Sequence, residues 1–209
     1  MGANYRDELI ALIEGNRQAY TDMSDTIWGY AEPRFQEYKS SGLQQEYLKN
    51  RGFSVKADLA GEETAFIAEF GSGKPVIGFM GEFDALSALQ QEADKTERSP
   101  IEGMTNGHGC GHHLLGTGRL AAVDALKTYM EQNNLSGTIR YYGCPAEENA
   151  GGKAYLVRDG RAAGGWKNIL YCDSERRQRN AGRGGSGRFR HAEEGEPDRF
   201  CGAGYGEGN

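Results

Sequence analysis

The chain has 209 residues and a formal net charge of −6, with 24 Lys and Arg against 30 Asp and Glu. This mildly acidic charge argues against a surface built to bind nucleic acid or an anionic membrane. No apolar run is long enough for a transmembrane helix, and the N-terminal segment has acidic residues where a signal peptide is basic and then apolar. We therefore expect a cytoplasmic protein whose four cysteines are free thiols or metal ligands.

Helical and strand patterns alternate along residues 1–160. Apolar residues recur at helical spacing up to about Tyr30, and Pro33 ends this helix or pair of helices. A second helix follows, with Ser40 or Ser41 as its N-cap and Gly52 at its C-terminal end. The patterns then predict strands over residues 53–57, 64–70, 75–80 and 137–144, and helices over residues 114–129 and 153–158. This alternation predicts an α/β fold, an open and mostly parallel sheet with helices on both faces.

The first motif with chemical potential is GEFDAL, Gly81–Leu86, directly after a continuous apolar strand. Asp84 lies just beyond the end of that strand, and ligands of open α/β sheets gather at the carboxyl ends of their strands. A carboxylate at this place can reach into a site, but it can equally be a helix or turn cap.

The second motif is NGHGCGHHLLGTG, Asn106–Gly118, which leads into a helix. It places His108, Cys110, His112 and His113 within six positions. A thiolate and imidazoles close together on a glycine-rich loop are typical of a site for a borderline or soft divalent cation. The alternative is a glycine-rich loop with incidental polar residues. The motif predicts metal binding.

The third motif is CPAEEN, Cys144–Asn149, at the end of the last predicted strand. Glu147 and Glu148 are neighbours, and neighbouring side chains of an extended segment point to opposite sides. One carboxylate is then available to bind a metal while the other acts as general base toward a water that the metal activates. The alternative is an ordinary pair of surface glutamates.

In this order and at these separations, GEFDAL, NGHGCGHH and GCPAEE resemble the motifs of the metal-dependent amidohydrolases related to aminoacylase and carboxypeptidase G. The likeness is greatest to the branch of aminobenzoyl-glutamate hydrolases and indole-acetyl-amino-acid hydrolases. AEPRFQE, Ala31–Glu37, is also similar to that family's N-terminal signature. The resemblance covers about residues 5–160. It implies hydrolysis of an amide bond between an acyl or aroyl group and an amino acid, with aminobenzoyl-glutamate as the first candidate substrate.

The resemblance also implies a role for each candidate site residue. Cys110, His112 and Glu148 are then metal ligands, and Glu147 is the general base. A complete member of the family holds manganese or zinc, two ions in each site, and forms a homodimer. The sequence does not distinguish manganese from zinc, because thiolate favours zinc and carboxylate accepts either ion.

Two further residues are expected to support the ligands without binding the metal, namely Asp84 and His108. His113 stands where the family more usually has Asp or Asn after the C-G-H sequence, and we give it no ligand role. Family members continue with further ligand histidines and an inserted dimerisation domain. Only His191 remains in the last part of this chain, in surroundings unlike a ligand strand.

The composition changes near residue 160. Residues 161–209 hold 11 glycines but only four residues from Ile, Leu, Val, Met and Phe, too few to offset the entropy of ordering about fifty residues. We expect residues 1–160 to form the N-terminal part of a catalytic domain, and residues 161–209 to be a Gly/Arg-rich tail. The tail is interpreted as a truncated or out-of-frame reading that leaves the chain inactive or nearly so. The alternatives are a natural disordered tail, or an Arg-Gly arm at Gly182–Arg190 that binds RNA.

Overall fold

The computed structural model describes residues 4–148 and 150–158. The elements in these ranges are α1 (Tyr5–Gly15), α2 (Arg17–Tyr30), α3 (Tyr38–Asn50), β1 (Ser54–Leu59), β2 (Glu62–Ser72), β3 (Val76–Glu82), β4 (Leu86–Ser87), β5 (Asn106–Gly107), α4 (His112–Gln132), β6 (Gly137–Cys144) and α5 (Gly152–Arg158). None of the helices in these ranges is long and apolar enough to cross a membrane. The predicted tail, with its Arg-Gly segment and His191, lies outside the described residues.

The main sheet has four strands in the order β1-β2-β6-β3. β3 and β6 are parallel neighbours joined through α4, whereas β1 with β2 and β2 with β6 are antiparallel. The predicted α/β class with an open sheet is confirmed, and these pairings make the sheet mixed. The antiparallel pairing of β1 with β2 follows from the two-residue turn between them, where Ala60 and Gly61 both have positive φ, as in a type I′ hairpin.

Helices cover both faces of this sheet, as the sequence predicted. The larger core lies under α2, α3 and α4 and includes Ile27, Leu48, Leu120, Phe66 and Tyr141. The smaller core lies on the other face and consists of Leu59, Ala65, Tyr142, Cys144 and Leu156 of α5. β6 contributes to both cores because its successive side chains alternate between the faces. This burial fixes the carboxyl end of β6, from which the third motif continues.

A buried carboxylate joins the three helices of the larger core. Asp124 of α4 is fully buried and accepts hydrogen bonds from the hydroxyls of Tyr20 (2.9 Å) and Tyr47 (2.8 Å). Arg51 donates to its other oxygen at 2.7 Å. Burial, together with the hydrogen bond to Asp124, raises the pKa of Tyr47 to about 12. This group of four, the Asp124 hub, satisfies its own charge and hydrogen bonds.

The predicted start of α3 needs a correction. The helix begins at Tyr38, and neither Ser40 nor Ser41 is its N-cap. The carboxylate of Glu32 instead accepts the backbone N–H groups of Lys39 (3.0 Å) and Ser40 (2.8 Å), which otherwise lack partners at a helix start. The cap is therefore supplied by a side chain six residues before the helix, beyond the range of the usual capping pattern.

Candidate metal centre

The three motifs meet at one edge of the sheet. β3 and β6 run parallel, and the last pair in their register is Glu82 with Cys144. The chain segments with Asp84 and with Glu147 and Glu148 therefore leave the sheet side by side, as expected at the carboxyl ends of parallel strands. α4 begins at His112 above the same edge, after Gly111, whose φ of 81° is unfavourable for other residues.

The structure brings the three predicted ligands together. The candidate ligand atoms of Cys110, His112 and Glu148 all lie within 4.8 Å of one another. His112 is buried, Glu148 is half-buried and Cys110 is exposed. A thiol, an imidazole and a carboxylate at this spacing fit a divalent cation such as zinc or manganese. We call these residues the thiolate set.

Asp84 fixes the orientation of the His112 ring. Its Oδ1 lies 2.9 Å from His112 Nδ1, and its Oδ2 accepts the backbone N–H of Glu148 at 2.8 Å. Although burial opposes ionisation of Asp84, the hydrogen bonds from His112 and from the Glu148 backbone outweigh it and hold the pKa of Asp84 below its usual value. An ionised carboxylate only accepts hydrogen bonds, so Nδ1 of His112 carries the proton and Nε2 points toward the other acidic groups. This arrangement is common behind metal-binding histidines.

Glu147 and Glu148 do not point to opposite sides, which corrects the sequence-based expectation. Glu147 Oε2 lies 3.7 Å from His112 Nε2, and Glu148 Oε1 lies 3.9 Å from the same atom. The reason is the backbone, because Ala146 has a φ of 54° and Glu148 lies in a turn. The segment is therefore not extended, and both carboxylates face the ring.

The acidic groups around Cys110 change the pKa of its thiol. Partial burial and a hydrogen bond with Glu148 raise its pKa, and the charge of Glu147 acts in the same direction. Without a cation these groups therefore keep the thiol protonated. A divalent ion between the thiol and Glu148 reverses this effect, because a bound metal stabilises the thiolate. The donor set thus fits a metal better than it fits an empty acidic cluster.

Two residues near the ring were not identified from the sequence. Glu82, the last residue of β3, has its Oε2 at 3.3 Å from His112 Nε2. Lys153 of α5 donates a short hydrogen bond to Glu82, and its Nζ lies 4.0 Å from Glu147 Oε1. Burial opposes protonation of Lys153, but its contacts with Glu82 outweigh burial and raise its pKa. GEFDAL offers Glu82 as a second acidic residue, but nothing in the sequence points from α5 to this site.

Glu37 is a third residue that sequence reasoning left without a role. It is fully buried, and it accepts the backbone N–H of Ala146 at 2.8 Å and the hydroxyl of Thr64 at 3.1 Å. Burial raises the pKa of this carboxyl. Glu37 is the last residue of AEPRFQE, so that segment holds the turn in front of Glu147 and Glu148.

His108 and His113 lie beside the centre and face α2. His108 Nε2 is 3.0 Å from the carbonyl oxygen of Ile27, and the rings of His108 and His113 both pack against Trp28. Burial lowers the pKa of His108 to about 4, so its ring is neutral at neutral pH. In the described part of the chain no hydrogen bond joins His108 to a member of the thiolate set, and its supporting role stays a prediction.

A cavity of about 370 Å³ opens beside Glu148. Its lining residues are Pro33, Arg34, Gln36, Ala85, Leu86, Ser87 and Glu148. One side of the cavity is formed by the AEPRFQE segment, and another side is formed by the residues that follow Asp84. A concave space next to perturbed ionisable groups is the usual place for a small-molecule substrate.

Similar proteins are found among both sequences and solved structures. The chain is 47% identical over 148 residues to one subunit of the p-aminobenzoyl-glutamate hydrolase of Escherichia coli, covering 71% of this chain and 31% of that protein. It is 32% identical over 127 residues to IAA-amino acid hydrolase ILR1-like 4 of Arabidopsis thaliana, covering 60% of this chain and 27% of that protein. The chain thus spans roughly a third of the length of the curated relatives it matches.

The fold has a counterpart in a dinuclear metal-binding peptidase of Bacillus subtilis from the M20 family, with a TM-score of 0.60 and 24% identity, over 72% of this chain and 41% of that one. A sequence profile described as peptidase family M20/M25/M40 matches residues 78–204. The profile match begins within β3 and includes all three motifs. The resemblance seen in the motifs is therefore confirmed, and the chain belongs to peptidase family M20/M25/M40.

Proposed function

We propose that the site hydrolyses the amide bond between an acyl or aroyl group and an amino acid, with aminobenzoyl-glutamate as the first candidate substrate. The observation behind the proposal is the convergence of Cys110, His112 and Glu148 next to a second glutamate, Glu147. The names of the two relatives, a p-aminobenzoyl-glutamate hydrolase and an IAA-amino acid hydrolase, support this substrate class.

In this proposal the thiolate set holds a divalent ion, manganese or zinc. The ion supplies polarisation of the amide carbonyl and activation of the attacking water. Asp84 keeps His112 Nδ1 protonated, so that Nε2 is the ring atom left for the ion. We extend to the complete protein the expectations of two ions in each site, a homodimer and a cytoplasmic location.

Glu147 is proposed as the general base. Its side chain is 39% exposed, the most accessible of the four carboxylates around His112, and it faces the same ring nitrogen as the thiolate set. It takes one proton from the attacking water while the oxygen adds to the carbonyl carbon. It then delivers that proton to the amide nitrogen as the C–N bond breaks, which releases the amine and the carboxylic acid.

Turnover by the 209-residue chain alone is expected to be low. The described residues bring together one thiol and one imidazole with carboxylates, whereas a two-ion site needs further ligands to hold both ions and the substrate carbonyl. An assay with aminobenzoyl-glutamate and added zinc or manganese measures this directly. Turnover comparable to that of a longer relative contradicts the expectation of low activity but not the proposed reaction.

The roles are tested by Glu147→Gln in a version of the protein with measurable turnover. Loss of the base is expected to lower kcat by about 10²- to 10⁴-fold. Metal content should stay at the wild-type value, because Glu147 is not in the thiolate set. The matched variant Glu148→Gln should lose metal as well as turnover. Undiminished turnover by Glu147→Gln shows that the base is another group.

A further inference from the structure

His112 belongs to two possible ligand sets. Besides the thiolate set, the candidate ligand atoms of Glu82, His112 and Glu147 also lie within 4.8 Å of one another, and we call these the carboxylate set. Nδ1 of His112 is engaged by Asp84, so Nε2 is its one free ring nitrogen. A ring nitrogen binds a single ion. The two sets are therefore alternatives for the ion held by His112.

The distances alone do not favour the thiolate set. Glu82 Oε2 is the carboxylate oxygen nearest to His112 Nε2, at 3.3 Å, compared with 3.7 Å for Glu147 and 3.9 Å for Glu148. The Glu82 side chain is also only 14% exposed, so solvent competes weakly for it. A carboxylate at this place is well situated to bind a metal ion, unless it is already paired with another cation.

Lys153 is that cation. Its ammonium donates to Glu82 Oε1 and lies 4.0 Å from Glu147 Oε1, so it contacts both carboxylates of the carboxylate set. The Lys153 side chain is 27% exposed and Glu82 is 14% exposed, which limits screening of this ion pair by water. Among the described residues no contact joins Lys153 to Cys110 or Glu148. The positive charge therefore opposes a divalent ion in one set and leaves the other set open.

We propose that Lys153 masks Glu82 and Glu147 as metal ligands, directs the ion to the thiolate set, and thereby determines which divalent metal the site prefers. This inference rests on the proposed metal centre. Its consequence follows from ligand chemistry, because a set that contains thiolate favours zinc, whereas a set of carboxylates with one imidazole accommodates manganese. The masking also keeps Glu147 free to act as a base.

The experiment uses the 209-residue chain loaded with cobalt(II), whose bond to a thiolate gives a charge-transfer absorption in the near ultraviolet. Manganese and zinc affinities are measured by competition with cobalt. Lys153→Met should lower the thiolate absorption per bound cobalt by at least half and improve manganese binding relative to zinc by about tenfold. Adding Glu82→Gln to Lys153→Met removes the unmasked ligand and should restore the absorption.

Three further variants keep the result interpretable. Lys153→Arg retains the positive charge and should behave like the wild type. Lys95→Met breaks an exposed ion pair with Glu92 in the loop between β4 and β5 and is the matched lysine control. Glu82→Gln alone should leave the cobalt spectrum and the affinities unchanged, because the masked carboxylate is not a ligand. This last variant tests the inference even if Lys153→Met fails to fold.

The outcomes separate this inference from the proposed centre. A wild-type cobalt complex without the thiolate absorption overturns both. A wild-type absorption that Lys153→Met leaves intact, with the wild-type preference between manganese and zinc, overturns the masking alone. Weaker metal binding by Glu82→Gln also overturns it, because Glu82 is then already a ligand in the wild-type protein.

Discussion

The Asp124 hub and the metal centre are two polar clusters built on the same helix, α4, and they differ in how their charge is balanced. At the hub, one buried carboxylate receives hydrogen bonds from Arg51 and two tyrosine hydroxyls. At the centre, four carboxyl groups (Glu82, Asp84, Glu147 and Glu148) surround the ring of His112, and Lys153 is the lysine that contacts them. The hub is complete without a ligand, whereas the centre has an excess of negative charge that a divalent cation balances. This contrast separates a structural cluster from a candidate functional one.

The largest expected effect is at the hub. Asp124→Ala leaves Arg51 and the hydroxyls of Tyr20 and Tyr47 without their acceptor. We expect the free energy of unfolding to fall by about 3 kcal/mol, at the low end for a broken buried pair because Arg51 is partly exposed. Urea denaturation measures this. Zinc affinity of the folded protein should be unchanged. A change below about 0.5 kcal/mol, as expected for a surface substitution such as Glu46→Ala on the exposed side of α3, contradicts the structural role.

Glu37 shares a feature with each region of this comparison. It is buried, like Asp124 of the hub, and its carboxylate binds the turn that precedes the candidate base. Glu37→Ala removes the acceptor of the buried Ala146 N–H and should lower the free energy of unfolding by about 1–3 kcal/mol. It should also weaken metal binding, since Glu148 is displaced with the turn. Equilibrium denaturation and a zinc titration are measured in parallel. Reduced stability with fully retained zinc affinity shows that Glu37 supports the fold alone.

Asp84→Asn tests the centre without removing a ligand. The neutral amide is a weaker acceptor for the Nδ1 proton of His112, which also lies 3.1 Å from the backbone carbonyl oxygen at position 84. We therefore expect metal affinity to fall by about tenfold, at the low end for partners of metal-binding histidines. The free energy of unfolding of the metal-free protein should change much less than for Asp124→Ala, because one of several crowded carboxylates is neutralised. Competition with a chelating dye measures the affinity. Wild-type affinity in Asp84→Asn indicates that the charge of the carboxylate is not needed and that the backbone carbonyl oxygen and packing orient the ring.

The smallest expected effect is an increase in the free energy of unfolding, in contrast to the decrease expected at the hub. Glu148→Gln removes one of the excess carboxylates, and the metal-free protein should become more stable by up to about 1 kcal/mol, within the range of partly exposed charge pairs. The thermal midpoint in excess chelator, with and without the substitution, measures this difference. A loss of stability instead shows that the acidic cluster is balanced in the absence of metal.

Local patterns were enough to predict most elements, whereas the choice of Cys110, His112 and Glu148 as ligands came from the resemblance of the motifs to the amidohydrolase family. The strands and α4 follow from apolar periodicity; His112 is the first residue of that helix and Cys110 lies two residues before it. The antiparallel pairings of β2 with β1 and with β6 were not predicted, because apolar periodicity identifies a strand but not its direction relative to its neighbours. Glu37 and Lys153 were also missed. Glu37 is 109 residues from Ala146 along the chain and Lys153 is 71 residues from Glu82, and a polar residue on a loop or short helix does not reveal so distant a partner.

The central claim is that His112 and Cys110 hold a divalent ion, and equilibrium dialysis of the 209-residue chain against zinc tests it most directly. We predict that the wild-type chain and Glu147→Gln bind zinc, whereas His112→Ala and Cys110→Ser bind it at least tenfold more weakly, a loss of about 1.4 kcal/mol or more. Equal zinc binding by wild type, His112→Ala and Cys110→Ser, or no zinc binding by the folded wild-type chain, would contradict the account.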